Sequence, residues 1–286
     1  MKRPLIVIVG PTASGKTGLS LGLAGRHGGE VIAADSRTIY RELDIGTAKP
    51  TIQEQRAVPH WGIDLISPDE HYSAARFQQY AGAAIADIRK RDKTPFLVGG
   101  TGLYINSVIY SYSFIDTDEV TRARLEAYDV ENLQAYCEGH NIPLPENYKN
   151  KRYLINQISR QGRTIKDNHS LDKNTYVVGI TTDSTLLKQR IRERAHVMFD
   201  SGAIEEAALV ALRYGWESPG LSGNIYQVAK RLLENELSRD EAIERIATLD
   251  WQLAKRQMTW FKRDPNIKWL QLDEAEHYIA GISTAE

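Results

Sequence analysis

The residues best suited to bind a phosphate group lie near the start of the chain, in the run Gly10-Pro11-Thr12-Ala13-Ser14-Gly15-Lys16-Thr17. Their spacing is G-x-x-x-x-G-K-T, a pattern in which backbone N–H groups surround phosphate oxygens and the lysine adds a point charge. The hydroxyl of Thr17 is the predicted ligand of Mg²⁺. A glycine-rich turn that only packs a helix on a sheet is the structural alternative, but it does not explain Lys16. The sequence therefore predicts a phosphate-binding loop that uses Mg²⁺ as its cofactor.

Three predicted strands lead into residues that can do chemistry. Residues 5–9 precede the phosphate loop, residues 30–34 lead into Asp35, and residues 95–98 run into a glycine-rich turn that contains Thr101. Buried strands that alternate with helical segments are typical of βαβ proteins. The predicted fold class is therefore α/β, with a P-loop NTPase-like parallel sheet flanked by helices. Because ligands of such sheets bind outside the carboxyl ends of the strands, we expect the site at these three ends.

From about residue 116 the pattern changes. Residues 116–168 are interpreted as a smaller helical insertion in a core made of residues 1–115 and 169–286. Part of the insertion, residues 149–166, has no acidic residue. Its cations are Lys149, Lys151, Arg152, Arg160, Arg163 and Lys166. A solvated helix face is the usual explanation of a charge run, but this imbalance in a near-neutral protein favours a surface that binds nucleic acid.

Composition limits the class of protein. The chain has 286 residues and a formal net charge of −1, so a nucleic acid must be bound by local patches rather than by a global positive field. Cys137 is the only cysteine, which excludes disulfides within the chain and a cysteine-rich zinc module. The histidines show no metal-ligand spacing. We expect a cytoplasmic monomer without a signal peptide or a membrane anchor.

Five segments together resemble one known family. They are GPTASGKT at 10–17, ADS at 34–36, DIGTAKP at 44–50, VGGTGLYI at 98–105 and AKRQMTWFKRDPNIKWL at 254–270. The phosphate loop alone is unspecific, but this combination and order are similar to the bacterial tRNA isopentenyltransferases, or tRNA dimethylallyltransferases, over nearly the whole chain. The resemblance implies transfer of a dimethylallyl group from dimethylallyl diphosphate to N6 of adenosine 37 in the anticodon arm of tRNA. It also implies Mg²⁺ and the release of diphosphate.

The resemblance gives the candidate residues their tasks. The exocyclic amine of adenine needs a carboxylate to receive its proton, and Asp35 is the candidate; a role in the magnesium shell or as a helix cap is the alternative. The phosphate loop, with Lys16, would hold the departing diphosphate. Thr101 is implied to be catalytic and to contact tRNA, whereas a turn threonine without a function is the competing interpretation.

The implied tRNA-binding residues include departures from the family pattern. Residues 35–38, which touch the flipped nucleotide in the family, are Asp35, Ser36, Arg37 and Thr38 here, where Asp-Ser-Met-Gln is usual. Losing that glutamine removes a side chain suited to an adenine edge. In the insertion, Lys151 and Arg152 match the family's basic helix, but Asn156 replaces an arginine.

A further departure lies near residue 227. Gln227 stands where the family usually has a lysine or arginine that helps to hold diphosphate or tRNA, and Lys230 or Arg231 is the expected substitute. The sequence thus predicts a tRNA modifier with an altered or weakened site. Arg256 and Arg263 either bind RNA phosphate or pair with nearby aspartates. Four aromatic residues near the end of the chain are assigned to packing: Trp251, Trp260, Phe261 and Trp269.

Three classes of function remain open at this stage. The first is prenyl transfer to tRNA. The second is another enzyme on the same loop, either an adenylate isopentenyltransferase or a small-molecule kinase, and the third is a non-catalytic tRNA-binding relative. The basic insertion favours tRNA over a free nucleotide, which would not need it. Retention of Lys16, Thr17, Asp35 and Thr101 argues against a non-catalytic protein.

Overall fold

The computed structural model describes residues 3–114, 119–159 and 170–284. Within them a parallel sheet has the strand order β3-β2-β4-β1-β5-β6. The strands are β1 (Leu5–Val9), β2 (Glu30–Ala33), β3 (His60–Trp61), β4 (Pro95–Gly99), β5 (Thr175–Ile180) and β6 (Lys268–Leu270). The predicted α/β class with a parallel sheet is confirmed.

The helices of the core flank this sheet, and their ends carry recognisable caps. Ser73 accepts a hydrogen bond from the backbone N–H of Arg76 at the start of α3 (Ala74–Lys90). Ser238 forms a capping box with Glu241 at the start of α11 (Arg239–Phe261). The bounds are α1 (Lys16–Arg26), α2 (Ile52–Ala57), α3 (Ala74–Lys90), α4 (Gly102–Ile109), α5 (Glu119–Glu126), α6 (Val130–Gly139), α7 (Lys151–Ser159), α8 (Ser184–Asp200), α9 (Ala203–Tyr214), a 3₁₀ turn (Pro219–Ser222), α10 (Asn224–Leu233), α11 (Arg239–Phe261) and α12 (Leu272–Thr284). Across the described part of the chain, none of these helices combines the length and apolar character needed to cross a membrane.

The chain divides into two compact units. One consists of Met1–Ile109 and Leu171–Glu286 and contains the sheet, and the other is Tyr110–Ser170. The second unit is helical and has an apolar core of its own. That core is formed by Leu125, Leu133, Cys137, Leu154, Ile155 and Ile158.

Strand order brings three strand ends together. β4 lies between β1 and β2, with Val9 opposite Gly99 and Ala33 opposite Val98 in the ladders. Because all three strands are parallel, the segments that follow them leave the sheet at the same edge. The phosphate loop, Asp35 and Thr101 therefore meet at one place, as the sequence predicts.

Candidate active site

The phosphate loop connects β1 directly to α1. Gly15 stands at the N-cap of α1 with a φ of 92°, a left-handed conformation that suits glycine. No side chain caps the helix, and its first turn has no acidic residue. Because the first N–H groups of a helix lack partners within the helix, this end favours a bound anion.

Two cations converge on the loop. Lys16 Nζ donates to the carbonyl oxygen of Pro11 at 2.5 Å and contacts Ser14 Oγ at 3.4 Å. Burial lowers the pKa of Lys16 to about 7, an effect that Asp35 opposes and Arg194 reinforces. Arg194 reaches the loop from α8 and donates through Nη1 to Thr12 Oγ1. The sequence did not single out Arg194, because it lies in a charged helix that looks like an ordinary solvated surface.

Asp35 and Thr101 lie side by side at the ends of β2 and β4. Asp35 is half-buried, and its Oδ1 accepts the backbone N–H of Arg37 at 2.8 Å. Thr101 Oγ1 accepts the N–H of Ser36 at 3.0 Å, while the N–H of Thr101 donates to Ala34 at 3.2 Å. The Asp35 carboxylate is also close enough to Lys16 to raise the pKa of its ammonium group. A proton acceptor, a hydroxyl and the phosphate loop are thus neighbours.

Arg37 places its guanidinium group beside the 3₁₀ turn Pro219–Ser222. Its Nη1 donates to Ser222 Oγ at 2.8 Å and contacts the carbonyl oxygen of Pro219 at 3.4 Å. Gln227 donates to the carbonyl oxygen of Leu221 in the same 3₁₀ turn, at 2.9 Å. Thr38 is only 6% exposed, and its hydroxyl has no hydrogen-bond partner within the described residues.

The two expected substitutes for a cation at position 227 point elsewhere. Lys230 pairs with Glu217 at 3.5 Å, and Arg231 pairs with Glu236 at 2.8 Å. Both ion pairs involve partly exposed side chains on α10 and its flanks. The cation that contacts the turn before Gln227 is Arg37, and a substitute role for Lys230 or Arg231 stays a prediction.

Helix α11 lies directly on the turn that carries Thr101. Gln257 accepts the N–H of Thr12 at 2.8 Å and donates to the carbonyl oxygen of Gly100 at 3.1 Å. One turn later, the Trp260 ring covers Gly102, where an added Cβ would stand 2.2 Å from the ring. Trp260 packs on this glycine although it is 40% exposed, and Phe261 is fully buried, so both contacts agree with the predicted packing role.

The exposed face of α11 is basic. Lys255, Arg256 and Arg263 line an open groove of about 640 Å³ together with Trp260. The side-chain oxygen of Asp250 accepts a hydrogen bond from Asn224 at 3.0 Å. The two alternatives for Arg256 and Arg263, binding of RNA phosphate and pairing with Asp250 or Asp264, both stay predictions.

The DIGTAKP segment is held by charged side chains, of which Lys49 is buried. Glu206 on α9 accepts three consecutive backbone N–H groups, those of residues 44–46, at 2.7, 2.8 and 2.9 Å, and also the Tyr226 hydroxyl at 2.8 Å. Lys49 is 3% exposed and lies between Asp44 at 2.5 Å and Asp64 at 2.6 Å. Burial and the Glu206 carboxylate raise the pKa of Tyr226. These bonds fix the conformation of the segment, which follows residues 35–38 in the chain.

In the second unit, α7 carries the predicted basic residues. Lys151 Nζ donates to the carbonyl oxygen of Glu126 at 2.6 Å, so it also stabilises the unit. Lys149 and Arg152 are exposed. The remaining predicted cations, Arg160, Arg163 and Lys166, lie outside the described residues.

The oxygen ligand at the loop fits a Mg²⁺ ion that binds together with a phosphate group. Within residues 3–114, 119–159 and 170–284, no cluster of three or more histidines, cysteines or carboxylates could bind a metal ion by itself. Thr17 is exposed in the first turn of α1 and is the last residue of the G-x-x-x-x-G-K-T motif. Mg²⁺ commonly takes one or two protein oxygens and completes its shell with phosphate oxygens and water. Thr17 is therefore a suitable ligand only when a diphosphate is bound.

Comparison with known proteins identifies relatives over nearly the whole chain. A family model described as IPP transferase matches residues 38–264, and one described as isopentenyl transferase matches residues 3–60. A tRNA dimethylallyltransferase of Macrococcus caseolyticus is 35% identical, covering 96% of this chain and 92% of the relative. Another, of Carboxydothermus hydrogenoformans, is 38% identical and covers 94% of this chain and 92% of the relative.

Solved structures give the same result. The tRNA isopentenylpyrophosphate transferase of Bacillus halodurans is 34% identical, with a TM-score of 0.75, and covers 99% of this chain and 97% of its own. A eukaryotic dimethylallyltransferase solved while acting on tRNA has a TM-score of 0.79 at 24% identity, covering 94% of this chain and 74% of its own. At that identity the second likeness shows the fold alone. The predicted resemblance and fold are confirmed.

Proposed function

The chain belongs to the IPP transferase family of tRNA dimethylallyltransferases, and we propose that it transfers a dimethylallyl group from dimethylallyl diphosphate to N6 of adenosine 37 in tRNA. The observation that carries this proposal is that two half-sites, one for the diphosphate and one for the acceptor amine, lie at the same edge of the sheet. An anion site made by the phosphate loop lies next to a carboxylate and a hydroxyl, those of Asp35 and Thr101. Such a pair suits a reaction in which a diphosphate leaves while an amine loses a proton.

The donor side stabilises the leaving group. The first N–H groups of α1, Lys16 and Arg194 face the position that a diphosphate would occupy. As the C–O bond to the allylic carbon breaks, negative charge gathers on the diphosphate, and preorganised donors and cations lower the barrier. Mg²⁺ held by Thr17 and the diphosphate oxygens would add further charge neutralisation.

The acceptor side removes a proton. The N6–C bond forms as the C–O bond breaks, and the amine proton passes to the Asp35 carboxylate. Thr101 is held against Ser36 by its Oγ1, which fixes the hydroxyl beside Asp35. The products are N6-dimethylallyladenosine, diphosphate and a proton.

The RNA must present its base outside the stack. A base in a folded anticodon arm cannot reach a sheet-edge pocket, so it is extruded and held by side chains. Residues 35–38, with Arg37 at the centre, are the proposed contacts of the flipped nucleotide. Lys149, Lys151 and Arg152 are the proposed phosphate contacts in the second unit.

The experiment that tests the function is a product analysis. Purified protein is incubated with dimethylallyl diphosphate, Mg²⁺ and unmodified tRNA, and the digested nucleosides are identified by mass spectrometry. We expect N6-dimethylallyladenosine from position 37, and none with Lys16→Ala. Adenosine monophosphate should be a poor acceptor, since it cannot use the RNA contacts. Equal rates with the mononucleotide would identify an adenylate isopentenyltransferase, and phosphate transfer from ATP would identify a kinase.

The basic helix is tested by the salt dependence of tRNA binding. Neutralising Lys149 and Arg152, which are both exposed, should flatten the slope of log affinity against log salt by about 0.7 to 0.9 for each RNA phosphate that the variant no longer neutralises. Lys151 is less suitable, because it also bonds to Glu126. Lys90→Gln is the matched control, since Lys90 is exposed at the end of α3, in the other unit. An unchanged slope in the Lys149 and Arg152 variant would show a merely solvated surface.

A further inference from the structure

A single glutamine side chain links the two half-sites of the core. Gln257 uses both ends of its amide: Oε1 accepts from the N–H of Thr12 in the phosphate loop, at 2.8 Å, and Nε2 donates to the carbonyl oxygen of Gly100, at 3.1 Å. Residues 12 and 100 follow the neighbouring strands β1 and β4. Gln257 thus bridges the ends of two strands that each carry one half of the chemistry.

The fit of α11 to this turn depends on the absence of side chains. A Cβ on Gly100 would stand 2.3 Å from Gln257 Nε2, and one on Gly102 would stand 2.2 Å from the Trp260 ring. Both distances are far below van der Waals contact, so with any other residue the Gln257 amide or the Trp260 ring would have to move. Gln257 and Trp260 are three residues apart and therefore share a face of α11. The helix is seated on the turn on both sides of Thr101.

The bridge continues to the acceptor side. Thr101 follows Gly100 directly, its N–H donates to Ala34 at 3.2 Å, and its Oγ1 accepts from Ser36 at 3.0 Å. The residue between Ala34 and Ser36 is Asp35. Defined hydrogen bonds thus run from the phosphate loop through Gln257 and Thr101 to the segment that carries the proposed proton acceptor.

From this geometry we infer that Gln257 is a positioning residue, which fixes the distance between the donor diphosphate and the Asp35–Thr101 pair during transfer. The inference rests on the proposed function and adds a residue that touches neither substrate in this role. Rate depends steeply on such distances, since a displacement of about 1 Å can cost on the order of a hundredfold. An amide suits this position at any pH, because one group must accept from an N–H and donate to a carbonyl at the same time.

The first test removes both hydrogen bonds without changing the length of the side chain. Gln257→Met is compared with Gln79→Met, an exposed position on α3. We expect kcat of the Gln257 variant to fall about tenfold or more, with KM for tRNA within about twofold of the wild type. The Gln79 variant should behave as the wild type in both. A normal kcat in the Gln257→Met enzyme, or equal losses in both variants, would overturn the inference.

The second test separates positioning from a merely structural role. In Gln257→Glu the ionised carboxylate accepts from Thr12 but opposes the Gly100 carbonyl, whereas the protonated carboxyl group can donate to it. The ratio of variant kcat to wild-type kcat should therefore rise as the pH falls, at a temperature where both proteins are folded. The Met variant, which does not titrate, should show a constant ratio. A Glu ratio that is independent of pH, or a loss of melting temperature with unchanged kcat, would contradict the positioning role.

A double-mutant cycle locates the effect. If Gln257 acts through the Thr101 turn, Thr101→Ala and Gln257→Met together should lose less activity than the product of their separate losses. A fully multiplicative loss would refute that link. Failure of the wild type to transfer any dimethylallyl group would instead refute the proposed function, so the two failures are distinguishable.

Discussion

Binding of the diphosphate should charge Lys16, and the proton taken up can be counted. In the ligand-free protein burial lowers the pKa of Lys16 to about 7, so about 0.9 of these side chains are neutral at pH 8 and about 0.1 at pH 6. A bound diphosphate favours the ammonium form and raises this pKa well above 8. Binding should therefore take up about 0.9 proton at pH 8, about 0.5 at pH 7 and about 0.1 at pH 6 on account of Lys16.

Lys16→Arg is the control, because a guanidinium keeps its charge throughout this range. Calorimetric titration with inorganic diphosphate, in buffers of different ionisation enthalpy, gives the number of protons taken up by each protein. Protonation of the diphosphate itself is common to both and cancels in the difference. Near pH 8 the affinity of the wild type should also fall by about 0.9 log unit per pH unit relative to the arginine variant. Equal proton uptake by the two proteins at pH 8 would refute the reasoning.

Three further predictions concern other parts of the site. Asp35→Asn keeps the shape but cannot accept the amine proton, so single-turnover transfer should fall about a hundredfold or more while tRNA affinity is retained; unimpaired transfer would reassign Asp35. Arg37→Met should weaken tRNA binding. Adding Gln227→Arg should restore most of the affinity, because both side chains contact the same 3₁₀ turn. A binding assay in which the second substitution restores no affinity would contradict this prediction. Glu206→Gln presents an amide donor to backbone N–H groups and should cost about 1 to 3 kcal/mol in chemical denaturation; an unchanged midpoint would show that the carboxylate is not needed.

The parts of the site that follow strands directly could be predicted from the sequence. Each strand is a short apolar run, and the chemistry-bearing residues come within a few positions of its end, as Asp35 and Thr101 do. Parallel pairing then brings those ends to one edge without further information. Two strands of the sheet could not be predicted in this way. β3 and β6 have two and three residues, too few for an apolar run to stand out.

Helical residues that act across the fold could not be predicted in the same way. Arg194 meets Thr12 across 182 positions of sequence, Gln257 meets it across 245, and Glu206 meets Gly46 across 160. Each lies in a helix with many charged or polar neighbours, where a single side chain aimed inward looks like any solvated position. The charged segment 121–137 holds two helices, which its helical pattern alone does not separate. Asp129 caps a new helix there by accepting the N–H of Asn132, and α5 and α6 are separate.

The departures from the family pattern show why a residue-by-residue comparison misjudges this site. Taken singly, Gln227 removes a cation and Arg37 inserts one, which suggests a weakened diphosphate or tRNA site next to an unsuitable base pocket. In the fold, Gln227 donates to Leu221 and Arg37 donates to Ser222, so both are bound to one four-residue turn. A positive charge is therefore present at this turn, supplied from the end of β2 instead of from α10. Because an RNA phosphate responds to where a charge lies and not to which segment carries it, we predict that the two departures offset each other as a pair.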